Sequence, residues 1–414
     1  MPAFAVTAVR RLAQTATIMS PSANSSISDV VILSATRTPI GSFNGVLKKV
    51  TAPELGITAA KAAIERAGLK PNQIEDAYFG SVLQGNLGQA PARQVVLGSG
   101  CPSTTEATTI NKVCASGMKA ITLAAQNIML GQRKVMLAGG MESMSNAPFY
   151  QARQLPVLGH AQLADGIMRD GLTDVQGGYP MGNCAENTAK KHELTREAQD
   201  AYAIESYKRA ADAWKAGAFK NEVVPVTIKD KKGDVVVSED EEFKNIKLDK
   251  VPSLRPVFDK NGTVTAANAS TINDGASAVI LASEEEAKKL GVKPLAKIIS
   301  FADAACDPID FPIAPAHAIP MALEKAGLKT SDIALWEINE AFSAVALANV
   351  KLLDLDPSKV NVLGGGVSLG HPIGSSGCRI VVTLAHALKP GQYGCAGVCN
   401  GGGGATAIVI KREE

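Results

Sequence analysis

The segment IERAGLKPNQI, from Ile64 to Ile74, returns as LEKAGLKTSDI, from Leu323 to Ile333. Ser116-Gly117 likewise recurs as Ser376-Gly377, and Gly131-Gln132 as Gly391-Gln392, at a nearly constant offset of about 260 residues. Such a repeat requires two structural units built on one plan. In each unit an apolar run, DVVILSAT or LAKIISFA, precedes an alanine-rich helical stretch ending in Ala-Gly-Leu, where Gly68 and Gly327 suit helix C-caps. Strands alternating with helices predict an α/β fold, with mixed sheets covered by helices. The offset exceeds the length of one such unit, so a further segment is inserted between them. Residues 145–270 are the candidate, because the composition there shifts to Met, Pro, Gly and charge. Within that segment REAQDAYAIESYKRAADAWKAG reads as a helix and KDKKGDVVVSEDEEFKNIKLDK as a charged connection.

The chain has 414 residues and a formal net charge of +2, a balance that gives no electrostatic reason to expect nucleic acid as a partner. Seven cysteines without the spacing of a disulfide scaffold fit a reducing compartment. The uncharged run from Pro390 to Ile410 is broken by glycines and Asn400, which argues for turns and strands and against a membrane span. Residues 1–28 contain Arg10 and Arg11 but no acidic residue. They read as a mitochondrial presequence or as a disordered terminus, and Met19 offers a second start that would leave a cytosolic form.

Four segments are candidates for chemistry. In NKVCASGMKA, Cys114 precedes a helical run, where unpaired N–H groups and the helix dipole favour a thiolate. The competing reading is a small buried thiol, the one expected for Cys101, Cys184, Cys306, Cys378 and Cys395. The equivalent turn of the second unit, GGGVSLGHPIGSSGCRI, places Gly374 where the first has Cys114, with His371 just before it. Two units facing across a pseudo-twofold axis would join Cys114 to His371, and a Cys-His pair suffices for acyl transfer. In GVCNGGGGA, Cys399 is followed by glycines that expose N–H groups to an oxyanion. Asn339, in WEINEAF at the end of an apolar strand, can orient a water or an oxygen, or cap a turn. No His/Cys cluster has zinc spacing and no GxGxxG follows the first strand, so neither metal-dependent hydrolysis nor a redox cofactor is expected.

Taken in order, VCASGMKA, NEAF, GHPIGSSG and CNGGGG resemble the thiolase family, and the resemblance runs from about Asp29 to Lys411. It implies a five-layered αβαβα sandwich of duplicated halves with an inserted loop domain: an N-terminal half over 29–294, with the insertion about 145–270, and a C-terminal half over 295–414. It implies Cys114 as the acyl-accepting nucleophile, His371 as its base and Cys399 as the residue exchanging a proton with substrate. The N–H groups of Cys114 and Gly401 would hold the acyl-enzyme oxygen, and Asn339, through a water, together with His371 would hold the thioester oxygen of the second substrate. The expected reaction is reversible condensation of two acetyl-CoA to acetoacetyl-CoA and CoA. A degradative thiolase of broader chain length and a non-catalytic acyl-CoA-binding relative are the alternatives.

Within the family, GTVTAANASTINDGA, DAYAIESY, DFPIAP and GGGVSLGHP resemble the mitochondrial, potassium-responsive acetoacetyl-CoA subtype. That resemblance implies potassium ligation by Tyr207 and the carbonyls of Ala266, Ala267, Ala269 and Val367, although the same loop serves substrate in potassium-independent relatives. It implies coenzyme A contacts from Tyr207, Lys250 and Ser270, with Asn245, Ile246 and Lys247 beside the adenine and phosphates; the lysines alone read equally as a solvated face. Met181, Phe311 and Pro312 would shape the acyl pocket, and the subtype implies a homotetramer. One departure is Pro180 before Met181-Gly182, where short-chain members commonly carry histidine, a form that points toward longer chains.

Overall fold

The computed structural model describes residues 27–413. The readings placed on Arg10, Arg11 and Met19 therefore lie outside the described residues. The first half runs β1 (Val30–Arg37), α1 (Ala52–Arg66), β2 (Asp76–Gly80), α2 (Pro91–Gly98), β3 (Glu106–Ile110), α3 (Ser116–Met129) and β4 (Val135–Ser143). After α4 (Met181–Lys191) and α5 (Arg196–Lys215), β5 (Asn273–Ser283) completes it. The second half runs β6 (Ala296–Ala305), α6 (Pro315–Ala326), β7 (Ile333–Ile338), α7 (Ser343–Leu352), α8 (Ser376–Ala387), β8 (Tyr393–Asn400) and β9 (Gly404–Arg412).

Strand order shows the duplication directly. The first half pairs β3-β2-β4-β5-β1 and the second β7-β8-β9-β6. In both, the pairing is parallel first (β2 with β4, β7 with β8) and then antiparallel. Val360, bridged in parallel to Trp336, stands where the first half has β3. The halves join through three residue pairs, Val30–Ile32 of β1 against Ala296–Ile298 of β6.

The strands are buried on both faces, and alternate residues serve different cores, as a period of two requires. Val30 and Ile32 of β1 face the central helices α3 and α8, whereas Val31 and Leu33 face α1 and α2. Ile408 and Ile410 of β9 face that same central pair, whereas Val409 faces α6. The result is five layers: outer helices, sheet, α3 with α8, sheet, outer helices. Gly117 and Gly377, which the repeat equates, lie where the central helices meet. A Cβ on Gly117 would sit 2.8 Å from Cys378 N, and one on Gly377 2.7 Å from Met118 N. Only glycine allows so close an approach.

The repeated Ala-Gly-Leu ends α1 and α6 in the same way. Gly68 and Gly327 adopt φ of +68° and +66°, and Leu69 and Leu328 donate back to Ile64 and Leu323 carbonyls, closing the helix ends. The inserted loop domain lies between β4 and β5, with α5 where the sequence predicts a helix.

Candidate functional site

The carboxyl ends of the parallel strands converge with the N-terminal ends of the two central helices on one cleft of about 560 Å³. Cys114 reaches it from the turn before α3, His371 from the turn before α8, and Gly401 from the β8–β9 connection. Val113 holds φ at +47°, a strained conformation for a β-branched residue. Ser116 Oγ donates to the Val113 carbonyl at 2.6 Å and accepts from Lys112 N–H at 2.8 Å, closing the turn around the nucleophile position. No sequence signal marked that strain.

The expected thiolate at Cys114 is not its resting state. Burial pushes the thiol up to about 12, against N–H groups of Gly401 and Cys114 itself that pull it down; the charge of Glu142 adds to the rise. Cys114 precedes the first helical residue by two positions, so desolvation outweighs the dipole. Those same two N–H groups are directed at the Cys114 sulfur.

His371 Nδ1 lies 2.6 Å from Ser376 Oγ, and that hydroxyl donates to the Pro372 carbonyl at 3.0 Å. A hydroxyl has one proton, so Ser376 accepts from Nδ1–H, and Nε2 carries the free lone pair. Nε2 is buried without a hydrogen-bond partner among the described residues. Burial, with a smaller contribution from Arg379, lowers His371 to about 3, so the imidazole rests neutral, the form a base requires. Ser376, which fixes the tautomer, was legible only as half of the repeated Ser-Gly pair.

Cys399, next to last in β8, and Asn339, just past the end of the adjacent β7, do not line the cleft. Cys399 is fully buried, and burial, then Cys114, pushes its thiol far up. Both polar atoms of the Asn339 side chain are buried without a hydrogen-bond partner among the described residues, which suits a group that waits for a water or a substrate oxygen.

Met181, Phe311, Ser270, Ala266 and Ala269 also line the cleft, as does Pro180. Pro312 is buried behind Phe311, its carbonyl held by Asn349 at 2.8 Å. The other residues assigned to coenzyme A stand outside the cleft lining. Lys247 and Lys250 are exposed, Asn245 bonds Ser42 Oγ at 3.0 Å, and Ile246 packs on the buried pair Tyr207 and Val367. No group of three or more His, Cys, Asp or Glu among the described residues could hold a metal ion. The carbonyls of Ala266, Ala267, Ala269 and Val367 accept no backbone N–H among the described residues.

The thiolase N-terminal domain model matches residues 30–285 and the thiolase C-terminal domain model residues 292–412. The chain belongs to the thiolase family. This thiolase is 61% identical over 388 residues to the mitochondrial acetyl-CoA acetyltransferase of Bos taurus, covering 93% of this chain and 92% of that one. It is 62% identical over 381 residues to an acetyl-CoA acetyltransferase of Yarrowia lipolytica, covering 92% of this chain and 96% of that protein. Among solved structures, a thiolase from Ascaris suum in complex with coenzyme A superposes with a TM-score of 0.90 at 54% identity, over 93% of this chain and 100% of that one. An acetyl-CoA acetyltransferase from Bacillus anthracis superposes with a TM-score of 0.91 at 42% identity, over 94% and 100%.

Proposed function

We propose that this thiolase is an acetyl-CoA C-acetyltransferase, making and cleaving acetoacetyl-CoA through an acyl-Cys114 intermediate. The observation that carries the reading is the cleft in which Cys114, the free Nε2 of His371 and the Gly401 N–H meet. In the cleavage direction the resting thiols are the forms the reaction needs. His371 takes the Cys114 proton as sulfur attacks the 3-keto carbon. The bond between C2 and C3 breaks, and Cys399 gives its proton to C2, releasing acetyl-CoA. CoA-SH then attacks acetyl-Cys114, its proton going to Cys399 while His371 returns the first to Cys114. The N–H groups of Cys114 and Gly401 hold the acyl oxygen, and Asn339, through a water, with His371 holds the thioester oxygen. Each such donor contributes about 3 kcal/mol to lowering the barrier.

Incubation with acetoacetyl-CoA and CoA is expected to release two acetyl-CoA, and no release from freshly reduced enzyme sinks the reading. Pro180 in the cleft wall favours the broader-chain alternative, so the rate on a C8 3-ketoacyl-CoA, measured beside it, decides chain length; Met181, Phe311 and Pro312 are the residues proposed to set it.

Potassium is proposed as an activator, held by Tyr207 and the carbonyls of Ala266, Ala267, Ala269 and Val367. Free carbonyl oxygens suit a hard cation. A bound ion would supply fixed positive charge that stiffens the loop carrying Ser270. Faster rates in potassium than in sodium chloride at equal ionic strength are expected, and equal rates remove the idea. Coenzyme A is proposed to rest on Ser270, with Tyr207, Lys250 and residues 245–247 toward its adenine end. Assembly as a homotetramer is supported by the exposed apolar side chains of Leu155, Val157, Leu158 and Leu163; light scattering measures it. Mitochondrial location is supported by the names of the relatives. Residues 1–28 fused to a fluorescent protein test import, and a Met19 start should leave the fusion cytosolic.

A further inference from the structure

The turn that carries His371 belongs to the second half, yet first-half side chains hold both of its ends. His371 N–H donates to Asn273 Oδ1 at 2.8 Å, and Gly374 N–H donates to Glu142 Oε2 at 2.9 Å. Glu142, fully buried on β4, also accepts the N–H groups of Val82 and Leu83 at 3.0 and 3.1 Å, residues that share a core cluster with Cys114. It forms no ion pair among the described residues; three main-chain donors satisfy it instead. Asn273 opens β5 and is fully buried, with Nδ2 on the Gly41 carbonyl at 3.1 Å.

Sheet register explains why these groups face the turn together. Gly275 pairs with Glu142 across the β4–β5 ladder, and Asn273 is two residues from Gly275, so all three share one face. A Cβ on Gly275 would lie 3.1 Å from Pro372 Cγ. Asn273, Gly275 and Glu142 thus meet His371, Pro372 and Gly374 in turn. Gly374 admits no side chain, since its Cβ would stand 2.5 Å from the Met141 carbonyl and 2.7 Å from Glu142 Oε2.

We propose that Asn273 and Glu142 are positioning residues, a two-point clamp by which the first half holds the His371 turn at the reach and angle that deprotonation of Cys114 requires. The proposal rests on His371 being the base, as in the proposed function. The geometry is demanding, because a displacement of about 1 Å in a catalytic group can cost about 10²-fold in rate.

Steady-state thiolysis of acetoacetyl-CoA by wild type, Asn273→Ala, Asn273→Asp and Glu142→Gln tests it. Asn273→Ala removes the acceptor for His371 N–H, and Glu142→Gln turns one acceptor into a donor facing donors. Both are expected to lower kcat by about 10-fold or more with KM for CoA within about 3-fold. Asn273→Asp keeps the acceptor for His371 N–H but sets its second oxygen against the Gly41 carbonyl and Glu242, so it should recover only part of the lost kcat. Gly275→Ala removes no hydrogen bond but presses a methyl on Pro372, so it tests the clamp even if the polar variants do not fold; it too should lower kcat and spare KM. An active wild type with folded variants, or Gly275→Ala alone, keeping kcat within 2-fold overturns the clamp. An inactive wild type overturns the proposed function instead.

Discussion

At Cys114 two effects compete, and their sizes decide the resting chemistry. Two N–H groups favour the thiolate, but burial removes more, and the thiol is pushed up to about 12. Burial lowers His371 as it raises the thiol, so both shifts oppose proton transfer between them in the empty site. Near neutral pH the thiolate forms as substrate brings an electrophile. This sets a pH dependence whose sign is fixed: a raised thiol pKa makes reactivity increase with pH until that pKa is passed. Iodoacetamide inactivation of the free enzyme is therefore expected to climb about tenfold per pH unit between pH 7 and 10. A plateau reached below pH 7 would show a stable thiolate-imidazolium pair instead. Mass spectrometry of the Cys114 peptide distinguishes it from the half-buried Cys306, the one thiol of the five expected to be buried that is partly open.

The elements α3 and α8 act as one unit because Gly117 and Gly377 let their backbones touch. Each helix has its reactive side chain just before its first turn, so the crossing sets the separation of Cys114 and His371. Gly117→Ala places a methyl 2.8 Å from Cys378 N and 3.0 Å from the Gly374 carbonyl, all main chain that cannot rotate away. Overpacking of this kind costs about 1–3 kcal/mol, to be read as a lower urea midpoint at unchanged m-value, with kcat falling as well. Gly68→Ala is the contrast: nothing lies within 4 Å, and only its φ of +68° opposes the change, at about 1–2 kcal/mol with kcat kept. Stability and kcat both unaffected in Gly117→Ala would separate the crossing from the site. The elements themselves were legible because the repeat, the strand periodicity and the Ala-Gly-Leu caps are local signals, and the structure realises them in both halves. Asn273, Glu142 and Val113 were not, because their roles come from contacts across the halves or from a dihedral angle, and Ser376 was not because only the folded turn brings its hydroxyl to His371 Nδ1. The lowered thiol pKa expected from Cys114's place before α3 failed for the same reason. Helix position is written in the sequence, whereas burial is a property of everything packed around it.

Across the whole molecule, three parts must keep register: two halves and the inserted loop domain. Arg37 stands where they meet. It is fully buried at the end of β1 and bonds Glu222 Oε1 at 2.5 Å, with Nη1 and Nη2 on the two oxygens of Asp240 at 2.7 and 3.0 Å. Both carboxylates come from the inserted segment, where Trp214 Nε1 also reaches Asp240 at 3.0 Å. Thr383 of α8, from the second half, donates to Glu222 at 3.2 Å. A single guanidinium therefore closes contacts among all three parts, and its planar fork matches the two oxygens of Asp240 in a way an ammonium cannot. Two buried carboxylates would be left facing each other without it, and stripping one side of such a cluster costs about 3–5 kcal/mol. Arg37→Ala is expected to lose that much in urea unfolding. Limited proteolysis should also cut the inserted segment near residues 229–234 sooner, because that segment loses its anchor while β1 keeps its ladders to β5 and β6. Arg37→Lys restores charge but not the fork, so it should recover only part of the loss. A change under about 1 kcal/mol in Arg37→Ala would mean that β-ladders and apolar packing alone hold the inserted loop domain to the sandwich.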